Sequence, residues 1–234
     1  MKKFEKASSF TTSDISDFYL RYGDEIPQST INWRVYHLVR KGVIQRIGRG
    51  VFKIGKGVSF EPEVSKKEAS IYRQLKRDLP FLECCVWSLD AMKEFAQHIP
   101  NINLILVEVE RDSTESVYHL LTEKYKHVLH KPDKEFSKTN AQEKYSAILV
   151  RPLVTEAPTQ KVNKINTITI EKLLVDVFTE SEFNFLKGYE MTYIFKNAFL
   201  TYTVNQSKLL RYADRKQKKE ELLCFLKGCN LAAF

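Results

Sequence analysis

Residues 29–54 read STINWRVYHLVRKGVIQRIGRGVFKI. At 3.6 residues per turn, Ile31, Val35, Leu38 and Val39 share one arc of a helix, and Ser29, Trp33, Tyr36, His37 and Arg40 share the opposite arc. The stretch therefore predicts one amphipathic helix with an apolar back. Pro27 ahead of a Ser29/Thr30 cap marks its expected start, and Gly42, a residue that tolerates the left-handed conformation, its expected stop. Two β-prone runs follow, 43–47 and 51–54, joined by Gly48-Arg49-Gly50. Both glycines are expected to supply the positive φ of a tight hairpin, with Arg49 at its tip. A helix followed at once by a basic-tipped hairpin is the winged helix-turn-helix arrangement. There the helix would enter the major groove and the wing would lie over the flanking backbone or minor groove.

Charge points the same way. Between Ile26 and Phe60 there are seven basic residues, Arg34, Arg40, Lys41, Arg46, Arg49, Lys53 and Lys56, and no acidic one. Residues 1–60 carry 11 Lys and Arg against 5 Asp and Glu; the other 174 carry 26 against 24, so most of the net +8 sits in the first quarter of the chain. Charge of one sign gathered in one place suits a phosphate surface, whereas an even spread would only favour solubility. The candidate contacts to double-stranded DNA are Ser29, Thr30, Trp33, Arg34, Tyr36, His37, Arg40, Lys41, Arg46, Arg49 and Lys53. The plain alternative for the cations is a solvated basic face. An indole is costly to expose, so Trp33 equally suits a cover over the helix–hairpin junction, and His37 equally suits half-buried packing.

The 234 residues, 43% of them hydrophobic, have room for two modest domains, and the charge asymmetry argues for a division into 1–57 and 63–234. Gly55 to Pro62, with two glycines and a proline, reads as the linker. The longest apolar run, Leu104 to Val107, is far below the roughly 18 residues of a membrane span, and no signal peptide follows Lys2 and Lys3. A soluble, cytoplasmic protein without membrane association is expected. Adjacent Cys84 and Cys85, and Cys224 with Cys229, lack zinc spacing, so idle thiols are the expectation. No catalytic residue, metal site or cofactor is assigned.

Ahead of the key helix, Thr11-Thr12-Ser13-Asp14 offers caps for a helix carrying Ile15, Phe18 and Tyr19, which would pack behind the recognition helix. Only about nine residues precede it, too few for a full first helix, so something else must cover that side of the small core. From Ser65 onward the pattern alternates. A helix through Ile71, Leu75 and Leu79 closes at Pro80, a strand spans Leu82 to Trp87, and Ser88 caps a helix carrying Leu89, Met92, Phe95 and Ala96. Residues 102–109 read as a strand buried on both faces. Asp112 with Glu115 resembles a capping box, and 127–129 a short strand. A polar loop over 131–144 precedes two further strands, 145–154 and 162–170. Helical segments then follow at 171–177, 183–200, 209–212 and 222–226. The fold class predicted is α+β: an N-terminal winged helix-turn-helix, then a larger mixed α/β domain with a partly parallel sheet, ending in a helical cluster.

Two acids one residue apart on a core strand, Glu108 and Glu110, raise the alternative of a metal-dependent nuclease anchored by the winged helix. The E-x-K spacing of that chemistry is absent, since Arg111-Asp112 follows Glu110. His119, His127 and His130 have no acid or thiol at catalytic spacing and read as surface. Glu171, Lys172 and Asp176, with Arg211, Tyr212 and Arg215, form a candidate inter-helix polar network.

TINWRVYHLVRKGVIQRIGRGVFKI is similar to the N-terminal winged helix of AbiEi-like proteins, the antitoxins and transcriptional regulators of type IV toxin–antitoxin (abortive infection) systems. TITIEKLLVDVF at 167–178 resembles the strand-to-E-K-x-L-V-D helix of that family, and VNQSKLLRYADRK at 204–216 its asparagine-led R-Y-A-x-R helix. The short N-terminus departs from the family's usual three-helix start. The resemblance implies an autorepressor that binds its own operator, usually inverted repeats. It also implies a C-terminal domain that counters a nucleotidyltransferase-like toxin from the adjacent gene.

Overall fold

Phe4, Phe10, Ile15, Ile31, Val35, Ile44 and Phe52 close into one small core in the computed structural model, which describes residues 4, 7, 9–21, 26–97, 102–130 and 145–231. The elements around that core are β1 (Phe10–Thr11), α1 (Thr12–Leu20), α2 (Gln28–Arg40), β2 (Ile44–Gly48) and β3 (Val51–Ile54). The strands form an antiparallel sheet in the order β1-β3-β2. Thr11 and Asp14 cap α1 reciprocally. In place of a full first helix, β1 adds an edge to the sheet, and Phe4 stacks on Phe10 with ring centroids 4.6 Å apart.

Both ends of α2 show how local chemistry sets a helix. Its start departs from expectation: Pro27 is the N-cap, and Ser29 and Thr30 lie inside the first turn without a side-chain cap. Proline holds φ near the helical value while its extended ψ of 142° turns the chain, so no hydroxyl is needed to begin the turn. The stop follows expectation. Gly42 takes φ +68°, its N–H donates to Val39 O at 3.0 Å, and Val43 N–H donates to Leu38 O at 3.0 Å. This is the Schellman arrangement.

The hairpin departs from expectation at Gly48. The turn is Arg49-Gly50 with φ +69° at Gly50, β2 continues through Gly48, and the register shifts between Arg46 and Gly48. Gly48 instead allows a close approach: a Cβ there would lie 3.1 Å from Ser207 Oγ. The segment read as a linker is docked along part of its length. Val58 N–H donates to Thr203 Oγ1 at 3.0 Å, Thr203 N–H donates to Val58 O at 2.9 Å, and Phe60 is buried in the larger core.

The larger part comprises α3 (Lys66–Asp78), β4 (Cys84–Ser88), β5 (Ile102–Val109), α4 (Thr114–Thr122), β6 (Val128–His130) and β7 (Tyr145–Pro152). It continues with β8 (Thr159–Val162), β9 (Ile165–Ile168), α5 (Ile170–Thr179), α6 (Tyr189–Thr201), α7 (Gln206–Arg215) and α8 (Lys219–Gly228). Its main sheet has the order β4-β5-β7-β6, with β4 antiparallel to β5, and β5, β7 and β6 parallel. Leu104 and Leu106 pack on one face with α5 to α8; Ile105 and Val107 pack on the other with α3 and α4. A period-2 strand between two helical layers must be apolar at every position, which is why the run at 104–107 has no polar break. The architecture is mixed α and β with a helical C-terminal quarter.

Several boundaries differ from the sequence expectation. Residues 162–170 are not one strand: Asn163 and Lys164, at φ 49° and 68°, turn the chain so that β8 and β9 pair as a hairpin. Positive φ at both central positions is the type I′ signature, with lysine where glycine is usual. Lys164→Gly is accordingly expected to raise stability by up to about 1 kcal/mol, read as a higher urea midpoint at unchanged slope; a lower midpoint would contradict it. The helix expected after Ser88 is a 3₁₀ turn, Leu89–Met92, with no side-chain cap. A 3₁₀ turn at Arg111–Ser113 likewise precedes α4, where Thr114 Oγ1 donates to Arg111 O at 2.9 Å and no Asp112–Glu115 box forms. Gly188, at φ +95°, separates a 3₁₀ segment, Ser181–Leu186, from α6 within the expected 183–200 helix. The loop expected at 131–144 lies outside the described residues.

Candidate nucleic-acid interface

Ile31 and Val35 are buried against the small core, so the opposite arc of α2 faces water. On that arc Ser29, Trp33, Tyr36 and Arg40 are exposed, Trp33 by 62% and Tyr36 by 59%. Trp33 therefore does not cover the helix–hairpin junction. Its ring lies against His37, centroids 4.1 Å apart, and Tyr36 meets His37 edge-on at 5.6 Å, so three rings form a surface ladder along the helix. Thr30 and His37 are half-buried on the flank of the arc. Arg34 is also half-buried, on the side facing α1, where its guanidinium stacks over the Tyr19 ring at 4.8 Å.

Beyond the helix, Lys41, Arg46, Arg49 and Lys53 are all exposed. A cleft of about 640 Å³ is lined by Arg40, Lys41, Arg46 and Lys56 together with Val58, Ser59 and Thr203; no acidic residue lines it. Arg49 is at the hairpin tip as expected, but the tip is held. Its backbone N–H donates to Ser207 Oγ at 2.9 Å, on the first turn of α7. Thr203, whose hydroxyl donates to the Gln45 side-chain carbonyl, secures the neighbouring strand. The hairpin is thus fastened to the larger part through the Arg49 backbone and the Gln45 side chain, with the Arg49 side chain left in water.

Exposed Gln28 and Asn32 belong to this face and were absent from the sequence prediction. Asn32 lies on the edge of the outward arc, Gln28 is left in water at the first turn of the helix in line with Val35, and Gln28 Nε2 donates to Asn32 Oδ1 at 3.2 Å. The i, i+4 spacing was visible in the sequence; a search led by charge and aromaticity passes over neutral amides.

The second constellation is buried. Glu108 on β5 and Arg151 on β7 are register neighbours, Lys172 and Asp176 are one turn apart on α5, and Tyr212 on α7 precedes Lys216 by one turn. Arg151 Nε and Nη2 donate to Glu108 Oε1 at 2.8 and 2.5 Å, Nη2 donates to Asp176 at 3.0 Å, and Nη1 donates to Glu182 at 3.3 Å. Lys172 Nζ donates to Asp176 Oδ2 at 2.5 Å and sits 2.6 Å from Glu108 Oε2, an ion-pair contact outside hydrogen-bonding angles. Lys216 reaches Asp176 at 2.7 Å and also pairs with Glu180, while the Tyr212 hydroxyl donates to Asp176 at 2.9 Å. Trp87 lies beneath the cluster, its ring 5.9 Å from both the Arg151 and Lys172 charges.

Burial alone would raise the Asp176 carboxyl, but Lys172, Lys216 and Arg151 outweigh it and hold the group well below the usual carboxylate range. Burial would likewise lower Lys172 and Arg151, yet their carboxylate partners hold both above their ordinary values. The Cys85 thiol is pushed up by burial first and then by Glu108, and Cys84 is pushed up by burial to about 11. Lys172 and Arg151 are thus each paired with both Glu108 and Asp176, and Lys216 with Asp176, so the cluster is a closed set of buried ion pairs, an ionic clasp between β5, β7, α5 and α7.

Lys172, Asp176 and Tyr212 of the predicted polar network are thus brought together. Arg211 is exposed and Arg215 pairs at 2.5 Å with Glu156 on the surface, because on α7 the positions that turn inward are 206, 209, 210, 212 and 213. Glu171 instead accepts from Asn205 N–H at 3.0 Å. Nor do Glu108 and Glu110 share a site. Glu108 is buried with two cations, while Glu110 is exposed beside a separate cleft of about 1030 Å³ beyond the carboxyl ends of β5 and β7. Among the described residues no group of three His, Cys, Asp or Glu side chains is placed to hold a metal, and no helix is long and apolar enough to cross a membrane.

Residues 30–231 match a family of unknown function, DUF6577. The chain belongs to that family. The DUF6577 span opens inside α2 and closes after α8, so it takes in the hairpin, its dock on α7 and the whole ionic clasp, while β1 and α1 precede it. No curated protein matches the sequence.

Proposed function

We propose that this DUF6577 protein is a cytoplasmic DNA-binding transcriptional regulator. Residues 1–57 act as a winged helix-turn-helix, and residues 63–234 act as an antitoxin-type domain without chemistry of its own. The observation that carries the reading is the outward arc of α2, exposed and flanked by Arg40, Lys41, Arg46, Arg49 and Lys53 with no acid between residues 26 and 60. Cations there neutralise phosphates while the helix lies in the major groove. The resemblance to AbiEi-like antitoxins extends this to autorepression at inverted repeats and to neutralisation of a nucleotidyltransferase-like toxin from the adjacent gene. The nuclease alternative loses support because the buried Arg151 and Lys172 already neutralise the Glu108 carboxylate.

The test is fluorescence anisotropy of the full chain with duplex from its own upstream region and with a scrambled duplex, across a salt series. Tighter binding to the upstream duplex, with a steep negative slope of log K against log salt, is the expected result. Equal weak binding to both would reject an autoregulator. Co-expression with the adjacent reading frame tests the antitoxin assignment separately, with restored growth expected.

A further inference from the structure

Resting on the DNA-binding reading, we infer that α2 is built to read A·T base pairs. In helix-turn-helix proteins the N-terminal half of the recognition helix reaches the base edges, and here its exposed side chains are Gln28, Ser29, Asn32 and Trp33, with Tyr36 following on the next turn. Guanine shows two acceptors in the major groove and is met by Arg or Lys; adenine shows one acceptor and one donor and is met by Asn or Gln. No cation stands on that half of the arc. Arg34 is turned toward α1 and stacked on Tyr19, and Arg40 is the last residue of the helix.

The bond from Gln28 Nε2 to Asn32 Oδ1 fixes the two amides against each other. It leaves the Gln28 carbonyl as an acceptor and the Asn32 amino group as a donor, the pair that complements adenine N6 and N7. Beside them the exposed rings of Trp33 and Tyr36 offer apolar surface, which in the major groove has one base-specific counterpart, the thymine C5 methyl. Adenine readers next to methyl readers define an A·T reader.

The test is selection of bound sequences from a randomised duplex pool by the full chain. Anisotropy then follows on the winning duplex and on the same duplex with deoxyuridine for every thymidine, which removes the methyls and leaves pairing and phosphates unchanged. A winning half-site centred on A·T pairs is expected, with the uridine duplex bound more weakly. Asn32→Ala should weaken the winning duplex by about 5- to 150-fold with little effect on a scrambled one, and Trp33→Ala should remove the uridine penalty. A G·C-centred site, or equal binding of thymidine and uridine duplexes, would overturn the A·T reader and leave DNA binding standing. Enrichment of no sequence by a folded chain would overturn both together.

Discussion

Asp176→Asn is expected to destabilise the protein by about 3–5 kcal/mol, the range for removing one partner from a buried charge cluster. For a chain of this size that corresponds to a fall in Tm of roughly 6–20 °C. The substitution is nearly isosteric, so the loss is electrostatic: Lys172, Lys216 and Arg151 stay buried while the carboxylate facing all three is gone. A double-mutant cycle with Lys216→Met should show coupling, whereas one with Arg211→Ala should show none, since Arg211 is on the surface. The pH dependence has a definite sign. The folded-state pKa of Asp176 is depressed, so its contribution is present above the unfolded value near ~4 and is lost as pH falls below it. Wild-type Tm should therefore drop more steeply between about pH 4 and pH 2 than that of Asp176→Asn. A thermal scan in which the variant matches the wild type at neutral pH would show that the clasp does not hold the fold.

Arg40→Ala combined with Arg49→Ala is expected to weaken binding to the upstream duplex roughly tenfold or more. It should flatten the slope of log K against log salt by about 1.8, one phosphate at about 0.9 for each guanidinium. Both side chains are exposed, and neither lies in a core, so the circular dichroism spectrum and Tm should be unchanged. The tip should also keep its position, because Ser207 holds the Arg49 backbone and not its side chain. An unchanged slope with intact affinity would remove the groove-and-wing geometry. A lowered slope with unchanged preference for the upstream duplex would assign both residues to phosphate contact, leaving base selection to the first turns of α2.

Local chemistry in the chain determined the elements that carry the candidate interface. The arc of Ile31 and Val35, the stop at Gly42 and the basic tip at Arg49 were all readable because helix period, left-handed glycine and charge are properties of neighbouring residues. The sandwiched strand around Leu104–Val107 was readable for the same reason, as burial on both faces leaves no polar alternation. Where two solutions share one local pattern, neighbouring residues do not choose between them. Pro27 started α2 without the hydroxyl cap, and Asn163-Lys164 turned a run of β-prone residues into a hairpin.

Tertiary structure alone decided what each charge does. Glu108 and Glu110 are alike in sequence, yet one is locked by cations from β7 and α5 and the other meets water. Arg151 carried no signal at all, because its partners lie 25 to 43 residues away. The same holds for the hairpin dock, where Arg49 and Ser207 are 158 residues apart. Propensity and periodicity act over one or two turns, so a sequence reveals which apolar residues share a buried face. Which buried charges meet is set by how the sheet and helices pack, and by the cost of leaving any one of them unpaired.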